Sequence, residues 1–169
     1  MKVIFGCDPN AAELKTTLMK AAADAGWETV DFGSTDPIYA NTAIRVAEAV
    51  AAGEAERGVL LCGTGIGMCI AANKVKGAYA ALLTDIYSAQ RAILSNDANI
   101  ACIGAFTIGE KLSIELLKTW LSLTFDEHCP SAEKVRCYMT YDTARDKSPA
   151  QPLLDERLCL IIGAGWYSD

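Results

Sequence analysis

The chain has 169 residues, 51% of them hydrophobic, with 15 Lys and Arg against 21 Asp and Glu and a formal net charge of -6. That apolar content suits one domain with a full core. The lack of a basic block argues against a nucleic-acid partner, and the lack of an apolar run of about 18 residues excludes a transmembrane helix.

The N-terminal residues MKVIFGCD enter a strand pattern at once, without a signal-peptide layout. Lys2–Cys7 is a short apolar strand broken by Asp8-Pro9-Asn10. Ala11–Ala25 follows as a helix with Leu14, Leu18 and Ala22 on one face, Asn10 as its candidate cap and Gly26 as its stop. Glu28–Phe32 is a second strand, closed by Gly33-Ser34-Thr35-Asp36-Pro37. A loop with Tyr39 leads to an alanine-rich helix, Thr42–Ala52, whose small residues imply close approach to the sheet or another helix.

Val59–Leu61 forms the third strand and ends in Cys62. Gly63-Thr64-Gly65-Ile66-Gly67 then turns the chain into a helix over Met68–Lys74. The fourth strand is Ala78–Leu82, followed by Thr84-Asp85 and a helix over Tyr87–Leu94. A polar break at Ser95–Asn99 precedes the fifth strand, Ile100–Ile103. The loop Gly104–Gly109 and helices over Glu110–Ser122 and Glu133–Arg145 complete the regular part. Pro149 and Pro152 interrupt the C-terminal stretch. Leu158–Ile162, flanked by Gly163-Ala164-Gly165, reads as a short strand or a segment packed on a neighbouring subunit.

Apolar strands alternating with helices predict a parallel sheet covered on both faces. Right-handed crossovers put strand-end loops on one side. Asp8, Cys62–Gly67, Thr84-Asp85 and Asn96–Asn99 are therefore expected to share one crevice. There, the amides of the Gly63–Gly67 turn form a site for an anion or a developing oxyanion. The turn lacks the Gly-Lys-Ser/Thr of a Walker A loop, and Met68 stands where G-x-G-x-x-G needs its last glycine.

Cys62, at the mouth of this turn, is a nucleophile, a general base or a buried structural thiol. Asp8 accepts a sugar hydroxyl proton or caps the next helix. Asn96 and Asn99 bind substrate hydroxyls or hold their loop through Asx turns. Tyr39 is a substrate or interface aromatic, and Asp85 reads as a cap. Arg91, Lys134, Arg136 and Arg145 are anion-binding candidates. The chain has seven cysteines, an odd number with no Cys-x-x-Cys pair, and one histidine, His128. This composition reads as mostly inert thiols in a reducing, cytoplasmic setting, with no metal-ligand spacing.

Gly6-Cys7-Asp8, Leu61–Lys74 (LCGTGIGMCIAANK) and Asn96-Asp97-Ala98-Asn99, in this order, resemble the ribose 5-phosphate isomerase B and galactose 6-phosphate isomerase family over Met1–Arg136. The resemblance implies a Rossmann-like three-layer α/β/α sandwich with a five-stranded parallel sheet. It also implies one isomerase domain over residues 1–169, with 146–169 an irregular extension on the body or a partner subunit. The expected activity is aldose–ketose isomerisation of a phosphorylated sugar with no cofactor and no metal. The expected assembly is a homodimer or dimer of dimers with interfacial sites, and a related partner subunit is possible within this family.

By the same resemblance Cys62 is the general base of a cis-enediolate mechanism, and the amides of Gly63, Gly65, Ile66 and Gly67 stabilise the enediolate oxygen. Asp8 and Thr64 fall on positions for sugar binding and ring opening, and Tyr39 on a pocket tyrosine. Asn96, Asn99, Lys134 and Arg136 are the remaining substrate-binding candidates.

The chain departs from the family pattern where Pro9 and Ser95 replace histidines and Phe106 replaces a cation. Ribose 5-phosphate-type chemistry is the first reading. Tetrose 4-phosphate or galactose 6-phosphate isomerisation is the alternative, because a tetrose 4-phosphate needs no furanose opening. A non-catalytic sugar-phosphate sensor or oligomer partner is a second class, and a cysteine hydrolase a third.

Overall fold

The computed structural model describes residues 1–33 and 35–144. Five strands, β1 Lys2–Cys7, β2 Glu28–Asp31, β3 Arg57–Cys62, β4 Ala80–Leu82 and β5 Ile100–Gly104, form one parallel sheet in the order β2-β1-β3-β5-β4. The helices are α1 Ala12–Asp24, α2 Tyr39–Ala51, α3 Ile66–Ala72, α4 Ile86–Leu94, α5 Glu110–Ser122 and α6 Ala132–Ala144.

Alternation along the strands sorts the core into two layers. Val3, Phe5, Val59, Leu61 and Ile103 face α1, α4 and α5. Ile4, Leu60, Cys62 and Cys102 face α2 and α3. The three-layer sandwich expected from apolar strands between helices is thus present. The alanines of α2 do allow close packing, with Ala43 and Ala47 wholly buried. Phe5, Leu60, Leu61 and Trp120 are also fully buried, each worth about 1.5–3 kcal/mol of transfer free energy.

Cys7 pairs in register with Leu61, and Cys62 with Gly104. The carboxyl ends of β1, β3 and β5 are therefore level. The chain runs from β1 to one side of the sheet and from β3 to the other, so the switch point of the topology lies between Asp8 and Cys62. Ligands of open α/β sheets bind at such a point.

Some element ends differ from the sequence reading for local reasons, while the caps read at Asp8 and Asp85 are present. Pro9–Ala11 forms a short 3-10 turn before α1, and the cap is Asp8 rather than Asn10: Asp8 Oδ1 accepts from the amides of Asn10 (3.0 Å) and Ala11 (3.2 Å). Pro9 suits that first turn because it has no N–H to leave unpaired. α2 begins at Tyr39, where Asp36 accepts from the Ile38 amide and the Asn41 side chain. Asp85 caps α4 in a reciprocal capping box with Ser88. The readings of Ser34, Arg145, Pro149, Pro152, Leu158–Ile162, Gly163-Ala164-Gly165 and the 146–169 extension lie outside the described residues.

Candidate active site

The loop after β3 is where the backbone is most constrained. Gly65 takes φ +78, and a Cβ there would lie 2.6 Å from Leu82 Cδ1 and 3.0 Å from the Ile103 carbonyl carbon. Positive φ is open to glycine at no steric cost, so the turn can fold back over β5 and start α3 at Ile66. Gly63 and Gly67 serve close approach. A Cβ on Gly63 would meet Phe106 Cδ2 at 2.9 Å, and one on Gly67 would meet Tyr39 Cε2 at 2.6 Å. Two aromatic rings from distant elements thus flank the turn.

Cys62 is 6% exposed. Its Sγ accepts the Gly65 amide at 3.1 Å, which fixes the sulfur inside the turn. The Ile66 amide donates to Thr64 Oγ1 at 3.3 Å, and Cys69 N–H bonds the Gly65 carbonyl. Among the described residues, the amides of Gly63, Thr64, Gly67 and Met68 donate to no protein acceptor. Four unpaired donors around a held thiol form a cradle for an oxyanion. The next loop is stitched to this one: Ala105 N–H bonds the Cys62 carbonyl (2.8 Å), and Phe106 N–H bonds that of Gly63 (2.9 Å).

Asp8 stands beside Cys62 on the neighbouring strand end, its amide bonded to the Leu61 carbonyl at 3.1 Å. It is 8% exposed, and both of its carboxylate hydrogen bonds fall on Oδ1. Asp8, Tyr39, Cys62, Gly63, Thr64, Gly65, Ile66 and Gly67 are therefore gathered at one end of the sheet. Behind them Cys69 Sγ donates to the Ala80 carbonyl at 3.4 Å, and the neighbouring Cys102 thiol holds the Cys69 thiol below its ordinary range. Complete burial pushes Cys102 well above its own. The six described cysteines are all free thiols.

Within one subunit Asn96 and Asn99 are not in this crevice, contrary to the expectation from the loop order. They precede β5 and lie at the amino end of the sheet, roughly 15 Å from Cys62 at about 3.3 Å per strand residue. The Ser95–Asn99 break is the C-terminal cap of α4. Ala98 N–H bonds the Ala92 carbonyl, Asp97 N–H bonds that of Ile93, and Asp97 takes φ 45. This is a Schellman arrangement. Both ends of the Asn99 amide are engaged, Oδ1 by the Tyr79 amide (2.8 Å) and Nδ2 by the Gly77 carbonyl (2.9 Å). Asn96 Nδ2 donates to the Arg91 carbonyl (2.8 Å).

Lys134 and Arg136 are exposed on α6, at that same amino end. Tyr138 of α6 donates to the Asn96 carbonyl there, and Asp142 accepts the Gly77 amide. A groove of about 450 Å³ between α4, β4 and α6 is lined by Arg91, Asn96 and Tyr138 among others. His128 is in the loop after α5, next to Cys129, whose Sγ lies 3.7 Å from the Leu94 carbonyl. That is also the far end, so no Cys–His pair forms at Cys62. Among the described residues no group of three or more His, Cys, Asp or Glu side chains could hold a metal ion, and no helix is long and apolar enough to cross a membrane.

Phe106 escaped the sequence reading as a site residue, since only its departure from a cation was visible. The available signal was topological: its loop leaves β5, the strand hydrogen-bonded to β3.

The family model described as Ribose/Galactose Isomerase matches residues 3–137. The chain is 43% identical over 150 residues to D-erythrulose-4-phosphate isomerase 2 of Mycolicibacterium smegmatis, covering 85% of this chain and 99% of that protein. It is 46% identical over 128 residues to Ribose-5-P isomerase B of Listeria innocua, covering 74% and 86%. The solved structure of type B ribose 5-phosphate isomerase from Trypanosoma cruzi superposes with a TM-score of 0.80 at 36% identity, covering 86% of this chain and 100% of that one. With its motifs, sheet order and glycine turn in agreement, the chain belongs to the ribose/galactose isomerase family and is a sugar-phosphate isomerase.

Proposed function

We propose that the chain interconverts an aldose phosphate and its 2-ketose isomer, with Cys62 as the general base. The observation that carries this reading is the Cys62 thiol held by the Gly65 amide at 3.1 Å within a turn of unpaired backbone donors. The thiolate takes the proton from C2 of the aldose, and the bond electrons pass into a cis-enediolate. The turn amides stabilise the oxygen that gains charge, and the same thiol returns a proton to C1. The hydroxyl proton passes from O2 to O1, beside Thr64 and Asp8.

Asp8, Tyr39, Thr64, Ile66 and Phe106 bracket the thiol without one positive charge. A phosphate needs a cation or a nest of donors, and within one subunit Lys134 and Arg136 are at the other end of the sheet. A second copy supplies them: exposed Ile66, Ile70, Ile86 and Tyr87 offer an apolar surface for it near the crevice. We therefore infer a homodimer or a dimer of dimers in which Asn96, Lys134 and Arg136 of one copy face the Cys62 crevice of the other.

Ribose 5-phosphate/ribulose 5-phosphate chemistry is the reading that the family resemblance gives. A tetrose 4-phosphate is the reading that this chain's departures at Pro9 and Ser95 favour. A sugar phosphorylated on O4 cannot close a furanose ring, so it reaches the base already open and needs no ring-opening histidine. The erythrulose phosphate named in the Mycolicibacterium relative supports this second reading. Proton NMR in deuterated water tests the proposal with ribose, galactose and erythrose phosphates. The expected result is deuterium at C2 that disappears in Cys62→Ala. Equal incorporation by that variant, or none from any of the three phosphates, overturns it.

A further inference from the structure

Phe106 is 72% exposed, against 41% for Tyr39, and its backbone is tied to the Cys62 turn. Its amide bonds the Gly63 carbonyl at 2.9 Å, and the Ala105 amide bonds the Cys62 carbonyl at 2.8 Å. The ring lies so close over Gly63 that a Cβ there would meet it at 2.9 Å. Across the turn, Tyr39 lies over Gly67 in the same way. Two rings thus lie against the two ends of the Cys62 turn, one with a hydroxyl and one without any polar atom.

We propose that Phe106 determines substrate chain length, its ring closing the Gly63 side of the crevice so that a four-carbon aldose phosphate is turned over in preference to a five-carbon one. The proposal rests on the isomerase reading above. With C1 and C2 at Cys62, each further carbon carries the phosphate about one C–C bond, roughly 1.5 Å, outwards. On the Phe106 side a longer chain presses its dianion against an apolar ring that offers no hydrogen bond, and desolvating a charge against such a surface is costly. The shorter chain keeps its phosphate clear of the ring.

The test compares kcat/KM for erythrose 4-phosphate and ribose 5-phosphate in the full-length protein, in Phe106→Ala, in Phe106→Leu and in Cys62→Ala, with the mass of each in solution. The unmodified protein is expected to favour the four-carbon substrate. Phe106→Ala should raise the five-to-four-carbon ratio about tenfold or more, the size of discrimination that one methylene-scale contact supplies. Phe106→Leu, which keeps apolar bulk, should hold the ratio within about threefold of the unmodified value. A ratio unmoved by Phe106→Ala overturns the inference, whether or not the mass changes, and a changed mass assigns the ring to a subunit contact. If the unmodified protein turns over neither of these nor galactose 6-phosphate, the isomerase reading falls and this inference with it; turnover of galactose 6-phosphate alone, or a preference for ribose 5-phosphate, overturns the chain-length role. Cys62-dependent turnover with an unmoved ratio overturns the chain-length role alone.

Discussion

The two ends of the sheet are built on opposite rules. At the amino end polar side chains close the backbone. Asn99 clamps Gly77 and Tyr79, and Asp142 takes the Gly77 amide. Arg57 lies between the Trp27 and Trp120 rings and donates to the carbonyls of Trp120 and Leu123. At the carboxyl end glycines bring the backbone close to two rings, and four amides stay unpaired. Gly67 and Met68 lie in the first turn of α3, where amides have no intrahelical partner, and with Gly63 and Thr64 they leave the carboxyl end with donors available to a ligand. The contrast supports the proposal of chemistry at Cys62, while the Asn99 amide is engaged by the backbone of Gly77 and Tyr79; both were legible as polar, strand-adjacent candidates.

The largest expected effect is on activity at the open end. Cys62→Ala should lower kcat/KM by about 10³-fold or more, the range for a lost general base, with little change in thermal midpoint. A modest loss would break the division between the two ends. Next, Gly65→Val should cost about 2–5 kcal/mol, combining a β-branched residue at φ +78 with a clash against Leu82. It should also abolish turnover by displacing the amide on Sγ. Chemical denaturation and activity should fail together.

Asn99→Ala sharpens the comparison from the closed end. Losing two hydrogen bonds should cost about 1–3 kcal/mol in urea unfolding, while kcat/KM per folded molecule stays within about threefold. A large drop in kcat/KM at unchanged stability would instead make Asn99 a substrate ligand.

The smallest effect concerns the flank that supports β2. Lys15, 4% exposed along its side chain, pairs with Asp31 at 2.5 Å. Burial alone would raise the Asp31 carboxyl, but bonds from Lys15 and the Gly33 amide, with the Lys15 charge, hold it below its ordinary value. Stabilisation from a lowered carboxyl is present above the ordinary value and is lost as pH falls through the lowered one. Asp31→Asn should therefore cost about 1–2 kcal/mol at neutral pH, less than a fully buried pair because Asp31 is 46% exposed. The gap to the unmodified protein should close in acid, and a gap independent of pH would show that the charge is not what matters.

Much of this was readable from the chain. Hydrophobic runs, Gly and Pro punctuation and the capping pattern at Asp85 specify the strands, the helices and their alternation, because each depends on residues a few places apart. The strand–turn–helix around Cys62 belongs to this local class, as does α5, whose bounds Glu110–Ser122 match the pattern read from sequence. The sheet decided the rest. Whether a polar break lies before or after a strand places it at opposite ends of the molecule, and this separates Asn96 and Asn99 from Cys62. Tyr39 over Gly67 and Phe106 over Gly63 are contacts between elements far apart in the chain. No periodicity encodes them, since they exist only once β1, β3 and β5 are aligned in register and their loops are forced together.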